Sequence, residues 1–291
     1  MNFKTLMILT VILLFTSSVA AEVYSFTKND TVIGSLKTYE IKDDESLIEI
    51  ARKFGLGFNE ITEANPKLDP FVPGDGVIVN LPTAWILPDL SSYDGIVINL
   101  SEMRLYFFPR PQRSSVMTFP IGIGSEGNET PLGIFRIVEK TANPSWYVPE
   151  SIRRERPELP KIVPPGRDNP LGSHALRLSE RTILIHGTNR PYAVGRKASH
   201  GCIRLYPEDI PKVFRMVPQK TKVTIIRQPV KAGRINERVY IEVHKDNELN
   251  MNYFNEAVRL LKKKDLLQYV DKEKMLTALR EKSGVPADIS N

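Results

Sequence analysis

From Gly95 to Ile226 the apolar residues come in short runs separated by turn residues, and that spacing constrains the fold more than any other feature. The runs are 96–100, 103–108, 116–123, 133–138, 182–185, 203–205 and 222–226. They are rich in β-branched and aromatic residues and too short for helices. Ser101–Glu102 reads as a turn joining the first two. Only one stretch here reads as a helix, opened by Pro207-Glu208-Asp209 and carrying Ile210, Val213, Phe214 and Val217 on one face. Many short strands and few helices predict a mostly-β sandwich or barrel. Residues 141–172 hold seven prolines and read as an ordered cover over a site, because loops this long usually carry function. Trp146 and Tyr147 lie within it.

The flanks follow different patterns. Residues 37–82 read as strand, helix, helix, strand. The first strand is centred on Thr38-Tyr39-Glu40-Ile41. The first helix has Leu47, Ile50, Ala51 and Phe54 on one stripe, with Asp43 or Asp44 as its cap and Gly55 as its stop. The second helix carries Phe58, Ile61 and Ala64 and ends at Asn65-Pro66. Pro73-Gly74-Asp75-Gly76 is a turn before the closing strand Val77-Ile78-Val79. Residues 83–95 read as a linker. The tail, 229–291, begins with a strand at Val239–His244. It continues as two amphipathic helices near 252–264 and 272–282, the second capped by Asp271.

Residues 1–21 read as a cleaved signal peptide. Lys4 precedes an uncharged run from Leu6 to Phe15, and Ser18 and Ala20 or the following Ala21 close it. That run is shorter than the ~20 residues a membrane span needs. The mature protein is therefore expected outside the cytoplasm. With 41% apolar and 25% charged residues the chain is globular. Its 40 Lys+Arg against 34 Asp+Glu give a mild, dispersed excess that does not demand nucleic acid.

The chain has one cysteine, Cys202, so no intramolecular disulfide is possible. In an oxidising compartment a free thiol is either inert or kept for its chemistry. Two of the four histidines stand near it, in Ile185-His186-Gly187 and Ser199-His200-Gly201-Cys202-Ile203-Arg204. An imidazole that takes the thiol proton makes a nucleophile. His200 shares a face with Cys202 if the backbone is extended, whereas His186 reaches it only through folding. Spacing alone does not choose between them. Gly187 and Gly201 allow close backbone approach, and the Gly201–Cys202 amides can point at a developing oxyanion. A Cys/His metal site from Cys202, His186 and His200 is the alternative use of the same side chains. His174 reads as structural, and His244 falls outside the motif.

Two resemblances follow from these residues. Tyr39-x-Ile41, Asp44-x-Ser46-Leu47-x-x-Ile50-Ala51, Asn65-Pro66, Pro73-Gly74 and Val77-x-Val79 resemble the LysM module, which binds the N-acetylglucosamine-containing glycans of peptidoglycan and chitin. Asp43 stands where that module usually has glycine. The segment from His186-Gly187 to Ser199-His200-Gly201-Cys202-x-Arg204, with Thr130-Pro131-Leu132-Gly133 and Asp168-Asn169-Pro170-Leu171-Gly172, resembles the YkuD-type L,D-transpeptidases over roughly 95–228. The insert before Asn169 is similar to the LysM-bearing periplasmic subgroup of Gram-negative cells (ErfK/YbiS-like).

The resemblance implies that Cys202 is a nucleophile carrying a thioester. It makes His186 the general base, oriented by a backbone carbonyl such as that of Gly187. It makes His200, Gly201 and Cys202 amides an oxyanion hole, with Ser199, Gly187 and Arg204 shaping the pocket. The implied reaction expels D-alanine from a peptidoglycan tetrapeptide stem. An amine then resolves the thioester, giving a 3–3 cross-link or a bond to an outer-membrane lipoprotein. Water as acceptor would make a carboxypeptidase, and an inactive domain would leave a wall-binding protein. No cofactor or metal is implied.

Overall fold

The computed structural model describes residues 22–110 and 114–291; the expected signal peptide lies outside them. None of the helices among them is long and apolar enough to cross a membrane. Most of the β-structure is one nine-stranded sheet. From one edge its strands are Val23–Ser25, Ser115–Pro120, Arg104–Phe108, Gly95–Asn99, Lys222–Ile226, Gly133–Ala142, His174–Leu178, Leu184–His186 and Ile203–Arg204. Two neighbours run parallel: Gly95–Asn99 with Lys222–Ile226, and Leu184–His186 with Ile203–Arg204. The sheet curls. Beyond Pro120 the chain reaches Gly122, which exchanges two 2.9 Å backbone hydrogen bonds with Arg204 at the far end. The curled sheet wraps a core of Ile98, Leu105, Phe119, Leu176, Ile185, Ile203 and Ile225, with Ile210 and Val213 of the helix Ile210–Met216.

Gly95–Asn99 and Arg104–Phe108 are buried along their whole length. Alternation explains this. Ile96, Ile98, Leu105 and Phe107 enter the core just described, while Val97, Tyr106 and Phe108 face a second core. That second core belongs to the N-terminal flank. Lys37–Glu40 pairs antiparallel with Ile78–Leu81, and helices Leu47–Lys53 and Phe58–Ala64 lie between them in the chain. Leu47, Ile50 and Ile61 supply the apolar contact.

Two readings of this flank need correction. The first helix is capped by Ser46, whose hydroxyl accepts from the Glu49 amide while Glu49 reaches back, a reciprocal capping box. Asp43 and Asp44 both have φ near +55°, so they form a turn and cannot cap. Residues 83–95 are not a free linker. Ala84–Ile86 is a strand paired with Val32–Gly34, and 83–87 are buried. The prolines at 82 and 88 bracket an apolar run, Ala84-Trp85-Ile86-Leu87, that packs into the seam. Trp85 donates to Glu60 (2.9 Å) and stacks under the Arg104 guanidinium, 4.1 Å away.

The seam reaches the segment that leads to Cys202. The Phe58 and Asn59 amides donate to Val194 and Gly195 carbonyls at 3.3 and 3.2 Å. The Tyr206 hydroxyl donates to Leu56 O at 3.0 Å. Gly195 has φ +76°, and a Cβ there would lie 2.1 Å from the Phe58 nitrogen. Gly127 has a similar φ, +78°, with nothing within 4 Å. Both alanine variants suffer the left-handed strain of about 1 kcal/mol, but only Gly195→Ala also forces the seam apart. Urea melts should show Gly195→Ala destabilised by about 2 kcal/mol more than Gly127→Ala. Equal losses would show that the seam yields freely.

The tail builds its own small unit. Val230–Ile235, Arg238–Val243 and Ala287–Asp288 form a three-stranded antiparallel sheet. Helices Tyr253–Lys263 and Lys272–Glu281 cover it through Leu260, Leu261, Met275 and Leu279. Asn252 and Asp271 cap these helices by accepting from Asn255 and Lys274 amides.

Candidate active site

The parallel pair at the end of the sheet places the motif. Ile185 lies opposite Ile203 and His186 opposite Arg204, so Cys202 sits one step before the ladder, near Leu184. Folding thereby brings the His186 segment beside the Cys202 segment across sixteen residues. Between them runs the turn Pro191–Ala193 and the strand Lys197–Ser199, which pairs with Ile123–Gly124.

His186 is buried, and its Nδ1 lies 2.6 Å from Gly187 O. Nδ1 must carry the proton to donate there, which leaves Nε2 as an acceptor. Burial, with Arg204 adding to it, lowers the imidazole pKa to about 4; the Gly187 and Leu171 carbonyls oppose this. The ring is therefore neutral at neutral pH, with Nε2 unprotonated. Gly187 supports it: its amide donates to His174 O at 3.1 Å, and a Cβ would meet Ile210 Cγ2 at 2.9 Å.

The Cys202 thiol is partly buried and donates to Thr182 O at 3.6 Å. Burial raises its pKa; the Leu184 amide, Arg204 and Arg177 pull the other way. The resting site is thus a neutral thiol near a neutral imidazole, and the proton must move when substrate arrives.

The residues before Cys202 are tightly held. Ser199 is buried and its hydroxyl donates to Cys202 O at 2.5 Å. Gly201 has φ +90°, and its carbonyl accepts from Thr130 Oγ1 at 2.9 Å. Thr130 Oγ1 in turn accepts from the Gly124 amide at 3.0 Å. Among the described residues the Gly201 and Cys202 amides donate to no protein group. His200 points elsewhere: it is exposed, with Nε2 3.3 Å from Glu155 Oε2.

Glu155 belongs to the Pro-rich segment, which is ordered as a small flap. Trp146–Tyr147 pairs with Ile162–Val163 around the helix Glu150–Glu155. Asn169, fully buried, fastens its base: Nδ2 donates to Pro144, Val163 and Pro164 carbonyls, and Oδ1 accepts from the Leu171 amide. Tyr147 is 72% exposed on the flap. The His174 ring packs on Phe214 at 4.5 Å, tilted by 52°.

Sequence reasoning noted the Thr130 and Asn169 motifs without their tasks, which are to hold Gly201 and the flap. It missed Thr182 and Leu184, whose contribution is backbone and leaves no residue signature. It also passed over His244. That ring is buried with Nε2 2.7 Å from Glu242 Oε1. Glu102, Glu242 and His244 place donor atoms within 4.8 Å of one another, as cation ligands would. The cation in their midst is the Lys231 ammonium, 2.7 Å from both carboxylates.

Residues 93–225, the curled sheet with His186 and Cys202 on adjoining segments at its closing edge, match the family described as the L,D-transpeptidase catalytic domain. "Probable L,D-transpeptidase YcfS" of Escherichia coli K12 is 38% identical over 89% of this chain and 85% of its own length. "Probable L,D-transpeptidase YbiS" of the same strain is 39% identical over 79% of this chain and 77% of its own. The solved catalytic domain of an Enterococcus faecium L,D-transpeptidase is 19% identical, with a TM-score of 0.36 over 46% of this chain and 96% of that one. The chain belongs to the L,D-transpeptidase family.

Proposed function

We propose that the chain is a cysteine-dependent peptidoglycan L,D-transpeptidase of the periplasm, exported through a cleaved signal at 1–21. The observation that carries this is the His186 ring, buried, held by Gly187 O and neutral, on the strand beside Cys202. In the first half-reaction His186 Nε2 takes the thiol proton as Sγ attacks the carbonyl that precedes the terminal D-alanine. The Gly201 and Cys202 amides, with that of His200, receive the oxyanion. The proton then passes from imidazole to the departing amine, leaving a thioester on Cys202. An acceptor amine gives its proton back to His186 and resolves the thioester. The old peptide bond's energy is conserved, so no cofactor enters. Ser199, Gly187 and Arg204 shape the pocket.

Residues 37–82 serve as a LysM-like glycan-binding module, 95–228 as the catalytic domain and 229–291 as a packed extension. The strand-helix-helix-strand order and its motif residues support the first assignment. The stem peptide and glycan strand are the partners. The acceptor amine is a second stem or an outer-membrane lipoprotein lysine, with water the hydrolytic alternative.

Purified protein incubated with tetrapeptide muropeptides should release D-alanine and yield cross-linked dimers when amine acceptors are abundant, read by mass spectrometry. Intact muropeptides throughout would sink the reading. Tripeptides without dimers would recast the enzyme as a carboxypeptidase.

A further inference from the structure

The charge pattern beside the nucleophile points to more than a shaped pocket. Arg204 stands two residues after Cys202 and opposite His186 in the ladder. Its backbone is fixed on both sides, by Gly122 and by the Leu205 amide donating to His186 O at 2.9 Å. Its Nε is buried and has no hydrogen-bond partner. No carboxylate pairs with it among the described residues; Arg153 and Arg196 likewise keep a buried Nε without a partner, while two other buried arginines are paired. Arg104 bonds Glu60, and Arg227 bonds Asp246. Burial lowers its pKa, and the titratable groups acting on it are the Cys202 thiol, Arg190 and the Tyr192 hydroxyl, with no carboxylate among them. Arg190 opens the turn Pro191–Ala193, and its amide is held by Thr188 Oγ1 at 2.9 Å.

A guanidinium taken partly out of water and set beside another cation is unfavourable until an anion arrives. Arginine's forked donors suit a carboxylate. In a donor cleaved at its last peptide bond, the terminal carboxylate carbon is three bonds from the attacked carbonyl carbon. A cation reading that carboxylate must therefore lie close to both nucleophile and base, and Arg204 is two residues from Cys202 and in register opposite His186.

We propose that Arg204, seconded by Arg190, binds the free terminal carboxylate of the acyl donor and so restricts cleavage to the last residue of a stem. This rests on the acyl-transfer reading for the identity of the donor, but the anion site itself is testable without turnover. Two alkylating reagents report it: iodoacetate, which carries a carboxylate, and neutral iodoacetamide. In the wild-type protein the rate ratio of iodoacetate to iodoacetamide at Cys202 should exceed that of free cysteine by about tenfold. Arg204→Gln should bring the ratio down to the free-cysteine value, and Arg204→Lys should restore part of it. A cooperative urea melt of Arg204→Gln with the wild-type midpoint shows that its site is folded, since an unfolded chain would also alkylate with the free-cysteine ratio.

A cation that only stabilised the thiolate would move both reagents together and leave the ratio unchanged, which would overturn the proposal. The second arm compares tetrapeptide stems ending in D-alanine and in D-alaninamide. The free acid should be preferred by at least about tenfold in kcat/KM, mainly through KM, and Arg204→Gln should erase the preference. Equal use of both stems by the wild type would also overturn it. If the ratio holds while neither stem is cleaved, the anion site stands and the acyl-transfer reading falls.

Discussion

Alanine at Cys202 should leave tetrapeptide muropeptides intact, with D-alanine release down by at least about 10³-fold, because Cys202 is the chain's one thiol. His186→Ala should lose about 10²- to 10⁴-fold, the usual range for a general base. His174→Ala should lose little, since that side chain packs on Phe214 and bonds Ser173 Oγ, and only its backbone carbonyl touches the His186–Gly187 segment. The pH profile separates this site from a preformed thiolate–imidazolium pair. Burial and Arg204 lower the His186 pKa to about 4, while burial raises that of the thiol. The base stays unprotonated down to that pH, so the acidic limb of kcat/KM should fall near pH 4 and not near 6.5. Alkylation of Cys202 by iodoacetamide should meanwhile keep rising with pH beyond the range of an ordinary thiol. An acidic limb at pH 6.5, or equal losses at His186 and His174, would remove His186 as the base.

The candidate residues were legible because the chemistry is concentrated in a short stretch, whereas the choice of His186 over His200 as base came only from the family resemblance. Cys202, His200 and Gly201 are contiguous, and His186 stands at the end of its own strand. Local strand positions were also readable, as 222–226 shows. Sheet order was not. Gly95–Asn99 pairs with Lys222–Ile226 across more than a hundred residues, and nothing local encodes such a partner. The same limit hid the meaning of two residues. Trp85 looked like linker until Val32–Gly34 paired beside it. His244 looked idle because its partners, Glu242 apart, come from elsewhere in the chain. Helix starts were misread for a different reason. Asp43, Asp44 and Ser46 are all good caps by composition, and only the positive φ of the two aspartates decides for Ser46.

The buried charges that join the three parts of the chain should dominate its stability. Lys231 of the tail is fully buried between Glu102 of the curled sheet and Glu242 of its own sheet. The Tyr106 hydroxyl donates to Glu102 at 2.7 Å, and the Ile86 amide donates to Glu242 at 2.5 Å. Close by, Arg104 and Glu60 join the curled sheet to the N-terminal flank. Lys231→Met leaves two carboxylates facing each other without their shared cation. That should cost about 3–5 kcal/mol, or roughly 10 °C in Tm. Arg154→Met breaks an exposed pair with Glu150 and should cost under about 1 kcal/mol. Replacing Lys231 and Glu242 together by Met and Gln should recover part of the loss. The pH dependence follows from His244. Burial alone would lower its pKa, but the hydrogen bond to Glu242 and the Glu63 carboxylate 3.7 Å from Nδ1 hold it at about 10. The folded protein therefore keeps a proton that the unfolded chain releases near 6.5. This stabilisation is complete below pH 6.5 and disappears as pH rises toward 10. His186 acts oppositely, because the unfolded chain takes up a proton below 6.5 that the folded site refuses until about 4. The two histidines together place maximum stability near pH 6.5. In His244→Gln the alkaline slope should flatten while the acidic slope persists. If Lys231→Met melts like Arg154→Met, or the alkaline slope survives in His244→Gln, these charges do not hold the three parts together.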